Sequence, residues 1–335
     1  MLNFFSMTNI AVTFIITFLA TFIATPAVAK LMKRRGITGE DVHKLSKIRI
    51  PEMCGLAILF GLTIGTTAYV TLHPSFIREG VAFLGTVLIA GGIGIVDDLR
   101  PLGARVKPLL TAVACAPILI LGTYVPILDI PLIGPVRLTL VYPLLIPIAI
   151  AVTSNGINMM DIMNGSMPGT VSIIAAAATG VLLVSGDAQN ASLAAGLLAA
   201  MLAFYYFNRF PARVFSGDTG SLAVGAALGA ISILGRIETV MVVALIPHIM
   251  NAFYGLASVG GLHERREIRQ RPIRLLKNGL LKASTEKGAP VTMARLILAN
   301  GPLGEKQIVR GMMILTAVSS FLALLTYWIM LVGRV

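Results

Sequence analysis

Charge is what this chain has least of. Only 13% of its 335 residues are Asp, Glu, Lys or Arg, against 56% hydrophobic, where a soluble domain carries about a quarter charged residues. That shortfall excludes an ordinary soluble domain. Cysteine is scarcer still: Cys54 and Cys115 both lie in apolar stretches. Two such thiols are expected to be small buried hydrophobes rather than a disulfide or a metal site. The four histidines, His43, His73, His248 and His263, have no ligand spacing, so no zinc site is expected. A Walker A loop and a GxGxxG are both missing, which leaves nucleotide hydrolysis and dinucleotide binding without support. Internal repeats and a separate soluble domain are missing too. Acids number 15 against 27 Lys and Arg, for a formal net charge of +12. The base is concentrated between apolar runs, and no nucleic-acid partner is expected.

What the chain does have is apolar blocks long enough to cross a bilayer, about 20 residues each. They place spans at roughly 8–31, 53–72, 81–97, 108–123, 138–157, 168–185, 190–207, 219–235, 239–261 and 308–331. The expected fold is an all-α polytopic membrane protein of about ten transmembrane helices, one integral membrane domain over 1–335. Ala27–Val28–Ala29 imitates a signal-peptide cleavage site, but Lys30, Lys33, Arg34 and Arg35 follow it as a stop-transfer signal, so the first span is expected to stay. Twenty-two of the 27 Lys and Arg fall in the odd-numbered connections, which makes those loops cytoplasmic and puts both termini outside. Glu52, Asp97, Asp98, Asp161 and Asp218 fall at that same face.

Residues 124–137 are expected to form a small extended turn on the outer side. The longest connection, 262–307, carries Asn278–Gly279 between apolar runs, a type I′ hairpin signal. A short interfacial helix is expected over Val291–Ala299.

Four stretches carry chemistry. The first is Gly91–Lys107, where the third span delivers Asp97 and Asp98 to its end, followed by Arg100, Arg105 and Lys107. Neighbouring side chains on a helix point about 100° apart, so one acid can face a cavity while the other holds the loop. Their roles are open between metal or substrate contact, general base and a solvated helix end. Arg105 and Lys107 beside them favour a phosphate, since cations at this depth need an anion. The second stretch places Asn155, Asn158, Asp161 and Asn164 at three-residue spacing. That stripe suits a hard cation that keeps some waters, or amide contacts between helices. The third, V-F-S-G-D-T-G-S over 214–221, sets Asp218 at a helix N-terminus, where it can cap the helix or ligate Mg2+. The fourth, R-R-E-I-R-Q-R-P-I-R over 265–274, holds five arginines that suit an anionic lipid surface or a pyrophosphate clamp.

In order, these motifs resemble the polyprenyl-phosphate N-acetylhexosamine-1-phosphate transferases, most closely the eukaryotic and archaeal dolichyl-phosphate N-acetylglucosamine-phosphotransferases. The likeness rests on IPEMCG at 50–55, GIVDDL at 94–99, TSNGINMMDIMNG at 153–165, PARVFSGDTGS at 211–221, PHIMNAFYGL at 247–256 and NGPLGE at 300–305. The resemblance implies transfer of a sugar 1-phosphate from a UDP-sugar such as UDP-GlcNAc to a polyprenyl or dolichyl phosphate, with release of UMP. It implies Mg2+, with Mn2+ as a substitute, held by Asn158 and Asp218. Lys107 would hold a phosphate, and Asp97 and Asp98 would line the centre. Uracil would be received by Asn164 and the backbone near Ile162 and Phe215, and the ribose by Glu52. Arg269, Gln270, Arg271 and Arg274 would cover sugar and pyrophosphate from the 262–307 loop. Membrane lipids are implied partners, and a homodimer is compatible with the family.

Two positions depart from the eukaryotic pattern. Gln270 replaces a histidine near the N-acetyl group, and Asp161 replaces an apolar residue where the bacterial branch has Asp. The bacterial histidine-rich signature is absent, which argues against a peptidoglycan precursor as donor. Two other classes fit the sequence less well. An intramembrane prenyltransferase needs paired D-x-x-x-D motifs, which are not found. A cation or lipid-phosphate transporter needs charges at mid-span, whereas these acids lie at the ends.

Overall fold

Alternating apolar segments and short polar connections dictate an up-and-down helical bundle. The computed structural model describes residues 4–262, 268 and 270–333; it is 68% helical, with three antiparallel hairpins among the described residues. The helices are α1 (Phe4–Arg34), α2 (Leu56–Leu72), α3 (Ile77–Leu99), α4 (Val106–Val113), α5 (Ala116–Leu121), α6 (Tyr142–Met160) and α7 (Ser166–Val184). They continue with α8 (Ala188–Asn208), α9 (Gly217–Leu234), α10 (Glu238–Ala244), α11 (Ile246–Ser258), α12 (Met293–Ile297) and α13 (Glu305–Val332).

Among the described residues seven helices are long and apolar enough to cross a membrane, or eight if α10 and α11, bent by 63°, form one span. The expected ten is not reached, and the two shortfalls have physical causes. Cys54 and Gly55 are drawn into hydrogen bonds with Phe215 and Ser216, so α2 starts only at Leu56 and has 17 residues. The 108–123 stretch breaks into α4 and α5, with Pro117 in the first turn of α5, where a proline can start a helix but not continue one. Pro247 plays the same part at the α10–α11 bend.

The connections sort onto two ends. At one, Asn9 meets His73, Arg78 donates to the Leu121 carbonyl and Thr239 to that of Asp129. At the other, the ends of α3 and α6 meet the starts of α4 and α9.

Helix α9 is the axle. Every residue from Thr219 to Leu234 is buried, as expected of a helix apolar all round. Small residues let its neighbours approach to backbone contact. A Cβ on Gly55 would run into the Gly220 backbone, one on Gly94 into that of Asp218, and one on Gly225 into that of Ser154. Threonines of α1 serve the same purpose: Thr17 and Thr21 sit against Gly65 and Gly61 of α2, and Thr17 donates to the Thr13 carbonyl one turn back at 2.8 Å.

The hairpins lie in the connections. Strands β1 (Thr38–Glu40) and β2 (Arg49–Pro51) pair with Gly39 opposite Ile50, a feature the sequence did not announce. β3 (Ile127–Ile130) and β4 (Gly134–Arg137) form the turn expected over 124–137. β5 (Ile273–Leu275) and β6 (Leu281–Ala283) flank the Asn278–Gly279 pair, as expected, with a different turn. Leu276 donates to the Leu280 carbonyl and Gly279 to that of Leu276, while only Gly279 takes a positive φ, +80°. That is a three-residue loop with glycine at the left-handed position, not the type I′ turn, which needs positive φ at both central residues. The expected short helix appears as α12, but Met293 and Ala294 turn into a second apolar core with Met160, Met163, Leu281, Leu298, Ile308, Val309 and Met312. This core docks the 262–307 connection beside the end of α6. The two cysteines are free and buried, as read from their surroundings.

Candidate active site

Three chain segments converge on the Lys107 ammonium. Asp97 is 2.6 Å away, Asp218 forms a second, very short ion pair, and the Asn158 carbonyl oxygen accepts at 3.3 Å. The Asn158 amide donates to the other Asp218 oxygen at 2.7 Å and to Ser221 at 2.8 Å. The apolar run of α3 carries Asp97 to its last turn, where the carboxylate also takes the Leu102 N–H at 2.6 Å and closes the loop toward α4. Asp97 and Lys107 are largely buried, so each charge depends on the other for its presence there.

Asp98 points elsewhere. It accepts from the backbone N–H groups of Asp218 and Thr219 at 2.8 and 2.9 Å and from the Thr219 hydroxyl at 2.6 Å. These are first-turn donors of α9, so Asp98 caps that helix from α3 and meets its positive end. Gly217, at φ +67°, has no Cβ to collide with this carboxylate. The capping role that the sequence left open to Asp218 therefore belongs to Asp98, and the Asp218 side chain is turned to Lys107.

A second group lies one step along the same face. Asn164 donates its side-chain amide to Asp41 at 3.0 Å, and its backbone N–H to Glu305 at 2.8 Å. Asp41 pairs with Lys44 at 2.5 Å. Burial acts to raise its carboxyl pKa, yet Lys44 and Asn164 outweigh that and hold it below the ordinary carboxylate value. Phe215 is strapped down by its backbone, donating to Pro51 at 2.8 Å and accepting from Cys54 at 2.9 Å. What it offers is its ring, which with Glu52 closes on Gly39: a Cβ there would lie 3.2 Å from the ring and 3.0 Å from the Glu52 carboxylate. The Ile162 N–H donates to the Met160 carbonyl at 2.9 Å. Asp161, just past α6, accepts from Ser216. Burial and the nearby Asp218 charge push its pKa up to about 6.

The arginine loop is only partly brought in. Arg269 lies outside the described residues, Gln270 stands near Gly288, and Arg274 on β5 is paired with Glu286. Among the described residues, neither Arg271 nor Arg274 bonds to the Lys107 group. Asn155, from the amide stripe, instead ties α6 to α4 by donating to Thr111 at 2.8 Å.

Among the described residues no group of three or more Asp, Glu, His or Cys side chains gathers as a metal cage. Asn158 and Asp218 nevertheless present hard oxygens to one cation, the Lys107 ammonium. Such a set suits an ion that takes one or two carboxylates and leaves the rest of its shell to water and phosphate oxygens, as Mg2+ does.

Residues 81–236 match the model of glycosyl transferase family 4. A Sulfolobus acidocaldarius protein, provisionally named a UDP-N-acetylglucosamine–dolichyl-phosphate N-acetylglucosaminephosphotransferase, is 30% identical over 255 residues, 73% of this chain and 77% of its own length. The chain belongs to glycosyl transferase family 4. A Bacillus subtilis relative, provisionally named an undecaprenyl-phosphate N-acetylglucosaminyl 1-phosphate transferase, is 31% identical over 248 residues, 72% of this chain and 67% of its own. A Moorella thermoacetica phospho-N-acetylmuramoyl-pentapeptide-transferase is 35% identical over 212 residues, 59% and 65%. The family read from the ordered motifs is thus borne out. Its matched segment holds Asp97, Asp98, Lys107, Asn158, Asn164, Phe215 and Asp218. Asp41, Lys44 and Glu305, which brace Asn164, lie outside it and were not singled out from sequence. The D-x-x-K spacing of Asp41 and Lys44 was their one local signal, and Glu305 ends the NGPLGE motif.

Proposed function

We propose that the chain transfers GlcNAc 1-phosphate from UDP-GlcNAc to a polyprenyl or dolichyl phosphate, releasing UMP, as the first step of lipid-linked oligosaccharide synthesis for N-glycosylation. One observation carries the proposal: a largely buried ammonium, Lys107, held between Asp97, Asp218 and Asn158 at the polar end of the bundle. An oxygen of the lipid phosphate attacks the β-phosphorus of the UDP-sugar, the bond from that phosphorus to the bridging oxygen breaks, and UMP leaves. Phosphoryl transfer of this kind asks for positioning and charge neutralisation rather than a covalent partner. Lys107 supplies a fixed positive charge for the phosphates. Asp97 holds Lys107 in place, and Asp98 holds the α9 terminus that presents Asp218. The lipid phosphate is already ionised at neutral pH, so neither aspartate is required as a base.

Asn158 and Asp218 would hold Mg2+, or Mn2+ in its place, which when bound would neutralise charge on the pyrophosphate. Asn164 and the Phe215 ring would take the uracil and Glu52 the ribose, with Gln270, Arg271, Arg274 and Arg269 above the sugar and pyrophosphate. The site faces the cytoplasm in this reading, because 22 of the 27 Lys and Arg lie in the connections on its side; both termini are then outside. Gln270 and Asp161 differ from the eukaryotic pattern, and this favours a second donor reading within the same reaction. Another UDP-N-acetylhexosamine would then serve a cell-envelope polymer.

Purified protein with Mg2+, a polyprenyl phosphate and UDP-GlcNAc is expected to release UMP and form a lipid-linked sugar pyrophosphate. UMP release with UDP-GalNAc alone would select the second donor. No release with any UDP-N-acetylhexosamine would sink the enzyme reading.

A further inference from the structure

Asn164 is buried, at 5% exposure, and lies between two carboxylates brought from opposite ends of the chain. Its side-chain nitrogen is 3.0 Å from an oxygen of Asp41, and its backbone N–H is 2.8 Å from an oxygen of Glu305. Asn oxygen and nitrogen are told apart by their partners rather than by shape. Here the partner decides, because an ionised carboxylate can only accept. The half of the amide facing Asp41 is therefore the NH2, and the oxygen is turned the other way. Among the described residues no donor bonds to that oxygen.

Asp41 is itself fixed. Lys44 pairs with it at 2.5 Å and rests 4.8 Å from the centroid of the Phe210 ring. The backbone two residues earlier, at Gly39, runs against Glu52 and the Phe215 ring. The orientation of one amide is thus set by a rigid set of contacts beside an aromatic face and a carboxylate.

We propose that Asp41 is a positioning residue for base recognition. By locking the Asn164 amide with its oxygen outward, it makes the site accept the N3–H of uracil and refuse cytosine, whose N3 carries only a lone pair. Glu305 fixes the Asn164 backbone for the same purpose. The proposal rests on the UDP-sugar reading above and adds to it the device that selects the base. Uracil and cytosine have the same outline, so shape alone separates them poorly, whereas an opposed pair of acceptors penalises the wrong one.

The test is calorimetric titration of the purified protein in detergent with UMP and with CMP, alongside UMP release. The wild-type protein is expected to bind UMP at least about ten-fold more tightly than CMP, the worth of one neutral hydrogen bond. In Asp41→Asn the amide of Asn164 can turn either way. UMP binding is expected to weaken about two-fold and CMP binding to tighten, so that the UMP:CMP ratio falls toward one, with kcat at saturating donor changed much less than KM. The double variant Asp41→Asn/Asn164→Asp places an acceptor-only carboxylate at 164 and a donor at 41, and is expected to restore the preference for UMP. It also decides the matter if the single variant does not fold. Equal loss of both nucleotides with an unchanged ratio in Asp41→Asn, or a double variant without preference, would overturn the proposal. A wild-type protein that prefers UMP but releases none from UDP-sugars would overturn the transfer reading and leave base selection standing. One that binds neither nucleotide would overturn both.

Discussion

Lys107 and Asp161 show how differently two buried charges behave at one site. Lys107 is surrounded by oxygens from three helices, so its charge is compensated in place. Asp161 has only neutral partners, Ser216, Ser166 and the Met167 backbone N–H, and a like charge nearby in Asp218. Its ordinary carboxyl pKa is 3.8, and burial and Asp218 raise it to about 6 in the folded protein. Between those values the folded chain keeps a proton that the unfolded chain has lost, so stability falls as pH rises through that window and the penalty is complete above it. Asp161→Asn cannot ionise. It is expected to melt a few degrees above the wild type at pH 7.5, with the difference closing by pH 4, in thermal unfolding followed across that range. Individual residues were the most legible part of the sequence. Asp97, Lys107, Asn158 and Asp218 were all read from charge and amide placement, and they do meet. The bracing of Asn164 was not legible, because Asp41 and Glu305 are 123 and 141 residues away from it and no local spacing records such pairs.

At the scale of elements, the start of α9 is the most heavily determined point of the fold. Asp98 caps it from α3, and Gly55 and Gly94 let α2 and α3 approach its backbone. Asp98→Ala removes the acceptor of two backbone N–H groups and of the Thr219 hydroxyl together. A cap is worth about 1 kcal/mol, and buried donors left without partners add about 1–3 kcal/mol. The variant is expected to unfold about 2–4 kcal/mol more easily in denaturant titration, and to lose transfer activity with it. Retained stability would show that water replaces the carboxylate. Most helices could be placed from apolar blocks alone, since a span must satisfy its own backbone in lipid. Where α4 and α5 part could not. A proline inside an apolar block permits either a kinked span or a break, and packing decides. The β1–β2 hairpin escaped for a related reason, since its three-residue strands carry too little alternation to register.

At the scale of the whole molecule, orientation is the property most open to a direct check. The native Cys54 and Cys115 are buried, so they give little background to a membrane-impermeant thiol reagent. Leu132→Cys, at a position 89% exposed on the β3–β4 turn, is expected to react from outside intact cells. Lys277→Cys, on the β5–β6 turn, is expected to react only after lysis. The opposite pattern would invert the topology. The uneven distribution of positive charge is what proposes a sidedness, whereas the number of full spans was not legible, because length in sequence does not reveal where a loop borrows from a helix.

The family-matched segment, 81–236, contains the groups gathered around Lys107, while the braces of Asn164 come from residues before and after it. In the proposed reading, the amide that meets the base belongs to the matched segment, while the residues that set its orientation do not. An engineer wishing to change which nucleotide is admitted would start from the flanking residues that orient Asn164 and keep the Lys107 group as it is. Divergence within such a family has the same option: a different base admitted by turning one amide from the flanks.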